Sequence, residues 1–378
     1  MRLPWIDALK GFGIMLVVFA HYSLPVALDT YIFSFHMPLF FFISGFLLNF
    51  VKYAESATDF IKGRFRSLIV PYFAFAVLTC LFYFLLDEVY SPGVTSIKFF
   101  ETDALYGIYS ILYALGPMIS YNSPLWFLTS LFVTELFFYW LAKRYYWQPK
   151  KLVIWLTVAG IIGYLYSVYV PFRLPWNADV ALTAVVFYGA GNLFRKFIES
   201  EDGLSAGSCL LKSDSGFNKV FSQVKNFFPW LFILVSLLYF VYLLKFPTDK
   251  INMNVLEYGG FFSFYFLAFS GIFTFVYIFT KIGSSKVLEY YGRNSLIVLA
   301  LHFPMKDILT KLSKIIFEID LDCFGCTTSF ALILTGLNLL GLVPVIFIIN
   351  KYFPFLAGKK SSSAGFKGFK VLFRKSPD

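Results

Sequence analysis

Charged side chains are scarce in this chain. Aspartate, glutamate, lysine and arginine make up 14% of its 378 residues, against about a quarter in an ordinary soluble domain. That is too little charge to cover a water-exposed surface, and it excludes a soluble globular class. Cysteine is rare too, at four residues. Cys80 is embedded in apolar sequence, and Cys209 falls in a segment expected inside the cell, where thiols stay reduced. The lone Cys323-Phe-Gly-Cys326 pair, expected outside, is too little for a zinc or redox framework. A cleavable signal peptide is also lacking: the first apolar run carries Asp7 and Lys10, has no small-residue cleavage site and is followed by further apolar runs. No internal repeat is visible, so the usual mark of an inverted-repeat transporter is missing. Histidine occurs only three times.

What is present is hydrocarbon. Apolar and aromatic residues reach 58%, with 50 phenylalanines and 25 tyrosines, and the mean hydropathy is +0.71. Windows of about 20 apolar residues mark ten expected transmembrane helices, at 6–28, 31–51, 68–89, 125–142, 152–170, 180–194, 227–244, 258–280, 288–304 and 327–350. The fold expected is an all-α, polytopic membrane bundle. Residues 1–352 form one transmembrane domain and 353–378 a basic cytoplasmic tail suited to an anionic inner leaflet. With the N-terminus inside, most of the 32 lysines and arginines fall in cytoplasmic segments, and the positive-inside rule then places both termini in the cytoplasm. The net charge of +10 is thus explained by topology, and the partner it implies is a lipid bilayer, not nucleic acid. The loop 91–124 holds a tyrosine-rich stretch broken by glycine and proline, expected to be interfacial or re-entrant. Residues 195–226 read as a cytoplasmic linker.

All three histidines lie inside apolar runs: His21 in GIMLVVFAHYSLPVAL, His36 in YIFSFHMPLFFFISGFLL and His302 in SLIVLALHFP. An imidazole in hydrocarbon is costly, so such residues are functional candidates facing the protein interior. Lys10 and His21 are eleven residues apart, about three turns or roughly 16 Å along one helix face. Asp7 is placed to pair with Lys10. His36 and His302 are expected at a depth similar to His21, in the outer half of the bilayer. A metal site is the weaker alternative, because the histidines have no close carboxylate or cysteine in sequence.

These segments resemble a known family. WIDALKGFGIMLVVFAH is similar to the opening of the membrane-bound acyltransferase family 3, in which a basic residue precedes a first-helix histidine; here Lys10 and His21 match, with lysine in place of the more usual arginine. YIFSFHMPLFFFISGFLL resembles the second helix, most closely in the fucose 4-O-acetylase-like branch. KGRFRSLIVPY resembles the basic motif before a proline-tyrosine pair, although Ser67 stands where a second arginine is usual and Arg66 lies between. NSPLWFLTSLF, FYGAGNLFRK and GRNSLIVLALHFP are similar to the fourth, sixth and ninth helices.

The resemblance implies an O-acyltransferase of the bacterial cytoplasmic (inner) membrane. It takes an acyl group, usually acetyl, from cytoplasmic acyl-CoA to a glycan or lipid-linked sugar, with no permanently bound cofactor. Such chemistry needs a base for the hydroxyl and support for the oxyanion. His21 is the expected base, acting directly or through an acyl-histidine. His36 and His302 would orient it, donate to the oxyanion or hold the acceptor, and Glu135 could orient a histidine, relay a proton or pack against hydroxyls. Lys62, Arg64 and Arg66 would meet the CoA phosphates, with Lys10 near the pantetheine or pairing with Asp7. Trp126 either stacks on a sugar or belongs to the interfacial belt, and Asn294 and Ser295 either position a partner or cap a helix. The rival reading is a polysaccharide or lipid-linked sugar transporter with the histidines as a proton relay.

Overall fold

Hydrocarbon offers no water to backbone groups, so a chain this apolar must satisfy them internally as helix. The computed structural model describes residues 3–90, 104–119, 121–201, 228–283, 285–318 and 327–359. Among these residues the fold is all-helical, the one extended pairing being an isolated bridge between Asn252 and Glu257. The helices are α1 Pro4–Phe19, α2 Val26–Leu47, α3 Ala57–Arg64, α4 Val70–Tyr90, α5 Ala104–Tyr113, α6 Trp126–Tyr145, α7 Pro149–Tyr169, α8 Ala178–Glu201, α9 Phe228–Lys245, α10 Phe261–Ile282, α11 Lys286–Arg293, α12 Ser295–Phe317 and α13 Thr328–Tyr352.

Six stretches among the described residues are long and apolar enough to cross a membrane: Val26–Leu47, Ala57–Phe84, Ser123–Tyr145, Pro149–Tyr169, Phe261–Ile282 and Thr328–Tyr352. The protein is a multi-pass membrane protein. Three elements differ most from the sequence expectation. The first helix stops at Phe19 instead of running to residue 28. The third is longer, because a π-helical turn at Phe65–Ile69 joins α3 to α4. The ninth is split at Asn294 into α11 and α12. The tyrosine-rich stretch forms α5, whose ten residues rise only about 15 Å, half of what a crossing needs. Lys98, Glu101 and Asp103, most of the 195–226 linker, Cys209, Cys323, Cys326 and the tail from 360 onward lie outside the described residues.

Two close helix pairs frame the first two helices. α11 runs antiparallel to α1, with Gly11 against the Leu288 carbonyl and Gly292 against that of Asp7. α2 and α8 pair the same way, Gly45 against the Tyr188 carbonyl and Gly191 against that of Phe42. Lipid supplies no hydrophobic push between helices, so small residues that let backbones touch carry the association. Gly191→Ala is therefore expected to cost about 1–3 kcal/mol by overpacking and to lower the unfolding temperature of the detergent-solubilised protein. Gly63→Ala is the control: nothing lies within 4 Å of an added Cβ there, and alanine favours a helix. Equal unfolding temperatures for the two variants would contradict the close packing.

Candidate active site

His21 is delivered by the early end of α1. Pro25 disfavours helical geometry in the residue before it, and the chain closes with shorter bonds, Tyr22 N–H to the Phe19 carbonyl at 3.1 Å. The carbonyls released by a helix end need partners. Lys306 donates its Nζ to the carbonyl of His21 at 2.9 Å, placing a cation at the negative end of the helix dipole. The same ammonium lies 5.4 Å from the centre of the Tyr22 ring. His21 is thus in the turn beyond α1, and the expected shared helix face with Lys10 is not formed.

His302 lies on α12, two residues before Pro304. Proline removes the N–H that would bond the Ala300 carbonyl, and Asn122 supplies the missing donor at 2.8 Å. Asn338 of α13 donates both to the His302 carbonyl, at 2.9 Å, and to the Tyr22 hydroxyl, at 3.0 Å. Tyr22, Lys306 and Asn338 together lock the terminal turn of α1 against α12. The outcome is a ring contact between His21 and His302 with centroids 4.9 Å apart.

The three imidazoles share one device. His21 Nδ1 lies 2.6 Å from the Val17 carbonyl and His36 Nδ1 2.8 Å from that of Ile32. His302 Nδ1 lies 3.0 Å from the Val298 carbonyl and 2.9 Å from that of Leu299. A carbonyl only accepts, so each Nδ1 carries the proton and the neutral ring presents Nε2 as an acceptor. Nε2 of His302 is buried with no hydrogen-bond partner. An imidazole held in this tautomer is oriented as a proton acceptor.

His21 and His36 line a cavity of about 540 Å³. Its other walls include Trp126, Ser123, Asp29 in the first turn of α2, and Lys250 to Asn254 in the segment between α9 and α10. His302 is not among the lining residues and reaches the cavity through His21. Arg173, paired with the fully buried Asp179 at 2.6 Å, holds the Asn254 carbonyl at 2.8 Å and so fixes that segment over the cavity.

The other expected residues lie elsewhere. Glu135 does not meet a histidine: its carboxylate pairs with Arg64 Nε at 3.3 Å and accepts from the Tyr188 hydroxyl at 3.2 Å. The reason is register, since α6 turns residue 135 towards α8 and the π-helical junction. Arg64 is half-buried, while Lys62 and Arg66 are exposed beside it. Lys10 is half-buried within α1 and does not line the cavity. Asp7 pairs with Arg293 at 3.2 Å. Asn294 makes no side-chain cap; it donates to the Tyr290 carbonyl and accepts from Asn350, both at 2.8 Å, tying the start of α12 to the end of α13. Ser295, half-buried, only opens α12. Trp126 is buried in the cavity wall and not in an interfacial belt.

Sequence reasoning missed Lys306, Asn338, Asp29 and Lys250. A signal existed for the first two. Lys306 is one helical turn after His302, and Asn338 interrupts the apolar run LILTGLNLLGLV. Among the described residues no three His, Cys, Asp or Glu side chains gather as a metal-holding group.

Residues 3–355 match the protein family described as acyltransferase domain. No curated protein and no solved structure matches the chain.

Proposed function

This chain belongs to that acyltransferase family, and we propose that it is a membrane O-acyltransferase moving an acetyl group from cytoplasmic acetyl-CoA to a hydroxyl of a cell-envelope or exported glycan. The observation that carries this reading is His21: an imidazole fixed as the Nδ1–H tautomer on the wall of a cavity large enough for a sugar. Its Nε2 takes the proton of the acceptor hydroxyl as the oxygen attacks the thioester carbonyl. The C–O bond forms, the C–S bond breaks, and the proton passes from His21 to the departing CoA thiolate. A two-step route through an acyl-histidine balances equally and uses the same nitrogen.

His302 steadies the His21 ring from behind, and His36 faces the reacting atoms from α2. Arg64, with Lys62 and Arg66, lies at the opposite end of the bundle, where it would meet the phosphates of the donor. That end also carries Lys143, Arg144, Lys150, Lys151, Arg195 and Arg293, so it faces the cytoplasm under the positive-inside rule and the cavity opens outward. The protein then belongs in the bacterial cytoplasmic membrane with both termini inside.

Proteoliposomes test the reading. With radiolabelled acetyl-CoA on the lysine- and arginine-rich side and glycan on the other, an alkali-labile labelled ester is expected on the glycan. Passage of unmodified glycan across the vesicle without labelling would instead identify a transporter.

A further inference from the structure

The outer part of the cavity contains a charged pair that the histidine chemistry does not use. Asp29 lies in the first turn of α2, and its Oδ2 meets Lys250 Nζ at 3.1 Å. Lys250 is engaged a second time, 4.3 Å above the Phe33 ring. The neighbouring backbone is pinned as well, with the Thr30 hydroxyl donating to the Thr248 carbonyl at 3.3 Å. The other oxygen of Asp29, Oδ1, is buried with no hydrogen-bond partner in the wall of the cavity. A buried carboxylate oxygen left without a donor costs free energy unless something fills it. The indole of Trp126, 6% exposed, lines the same cavity.

These features specify a ligand chemistry. Asp29 Oδ1 needs a donor such as a hydroxyl, because a carboxylate only accepts. Trp126 offers a flat apolar face to the C–H side of a sugar ring. Lys250 is already neutralised by Asp29, so an anionic ring would set its carboxylate near Asp29 with no uncommitted cation from this pair to compensate it. We infer that Asp29, held by Lys250 in the cavity that Trp126 also lines, is the subsite that seats the acceptor ring, and that it selects an uncharged, hydroxyl-bearing sugar over an acidic one. This rests on the acyl-transfer reading above for the identity of the cavity as the acceptor site.

Binding can be measured apart from catalysis. The full chain in detergent is titrated calorimetrically with methyl glucoside, methyl galactoside, methyl mannoside and methyl fucoside, and with the methyl glycoside of glucuronic acid. At least one neutral glycoside is expected to bind ten or more times as tightly as the uronate. Asp29→Asn removes the charge at almost constant shape and frees Lys250; it is expected to weaken the neutral sugar about tenfold and to strengthen the uronate. Lys250→Met, which leaves Asp29 charged, is expected to weaken the uronate further. A general loss of packing would weaken both ligands together, so the opposite movements identify a specificity role. Preference of the wild type for the uronate, no binding of any neutral glycoside, or unchanged affinities in Asp29→Asn would each overturn the subsite. Binding of the neutral sugar is read separately from acetyl transfer to it. If the wild type binds that sugar but no acetyl reaches it, the acyl-transfer reading fails while the subsite stands.

Discussion

His21→Ala is expected to lower acyl transfer by between about a hundredfold and ten-thousandfold, the usual contribution of a positioned general base. The argument is geometric. His21 is the cavity-lining histidine that also contacts His302, and its Nδ1 is spent on the Val17 carbonyl, so Nε2 is its working nitrogen. The loss should appear in kcat and in kcat/KM alike, since the proton is transferred only on the way through the transition state. Steady-state transfer from labelled acetyl-CoA measures it. His302→Ala is expected to be milder, because His302 acts on the reaction only through His21. Equal losses in the two variants would mean that the pair works as one unit. Transfer at the wild-type rate in His21→Ala would remove this residue from the chemistry altogether.

Arg64→Met is expected to be the most destabilising of the substitutions considered. Glu135 is 2% exposed, and Arg64 is its ion-pair partner at 3.3 Å. Removing one member of such a pair strands a buried charge, at a cost of about 3–5 kcal/mol. The variant should unfold at a markedly lower temperature and yield little monodisperse protein. Pairing it with Glu135→Gln removes the stranded charge and is expected to restore most of the stability, since the amide still serves the Tyr188 hydroxyl. A double-mutant cycle in unfolding temperature reads this coupling directly. If Arg64 also meets the donor phosphates, the restored double variant keeps a raised KM for acetyl-CoA. An Arg64→Met protein that unfolds like the wild type would show the pair to be unimportant.

Glu135 also shows where sequence reasoning stopped. A deep carboxylate in LFVTELFFYW was legible as a residue with a purpose, and a hydroxyl such as that of Tyr188 was among its expected partners, but Arg64 was not. Whether residue 135 of α6 faces a histidine or an arginine depends on the rotation of that helix about its axis. The neighbours that set this rotation are α8 and the Phe65–Ile69 turn. The position of His21 had the same difficulty. Apolar composition alone runs through to residue 28, whereas Pro25 and the Lys306 side chain end the helix at Phe19. Trp126 could be read from sequence as belt or sugar platform, and its burial in the cavity wall removes it from the belt.

Composition and local order by themselves determined the all-helical membrane class and the three histidines as the residues to watch. Those properties belong to the chain one segment at a time: the hydrocarbon content of a run, an imidazole placed in an apolar stretch. Tertiary structure alone decided which groups meet. Lys306 reaches His21 across 285 positions, Asn338 reaches Tyr22 across 316, and Lys250 reaches Asp29 across 221. No period or motif encodes such pairings, because each depends on the rotation and depth of two helices fixed by the packing of several others. The site is legible as a list of residues in one dimension. Its geometry, with the tautomers fixed and the cavity walled, exists only in three.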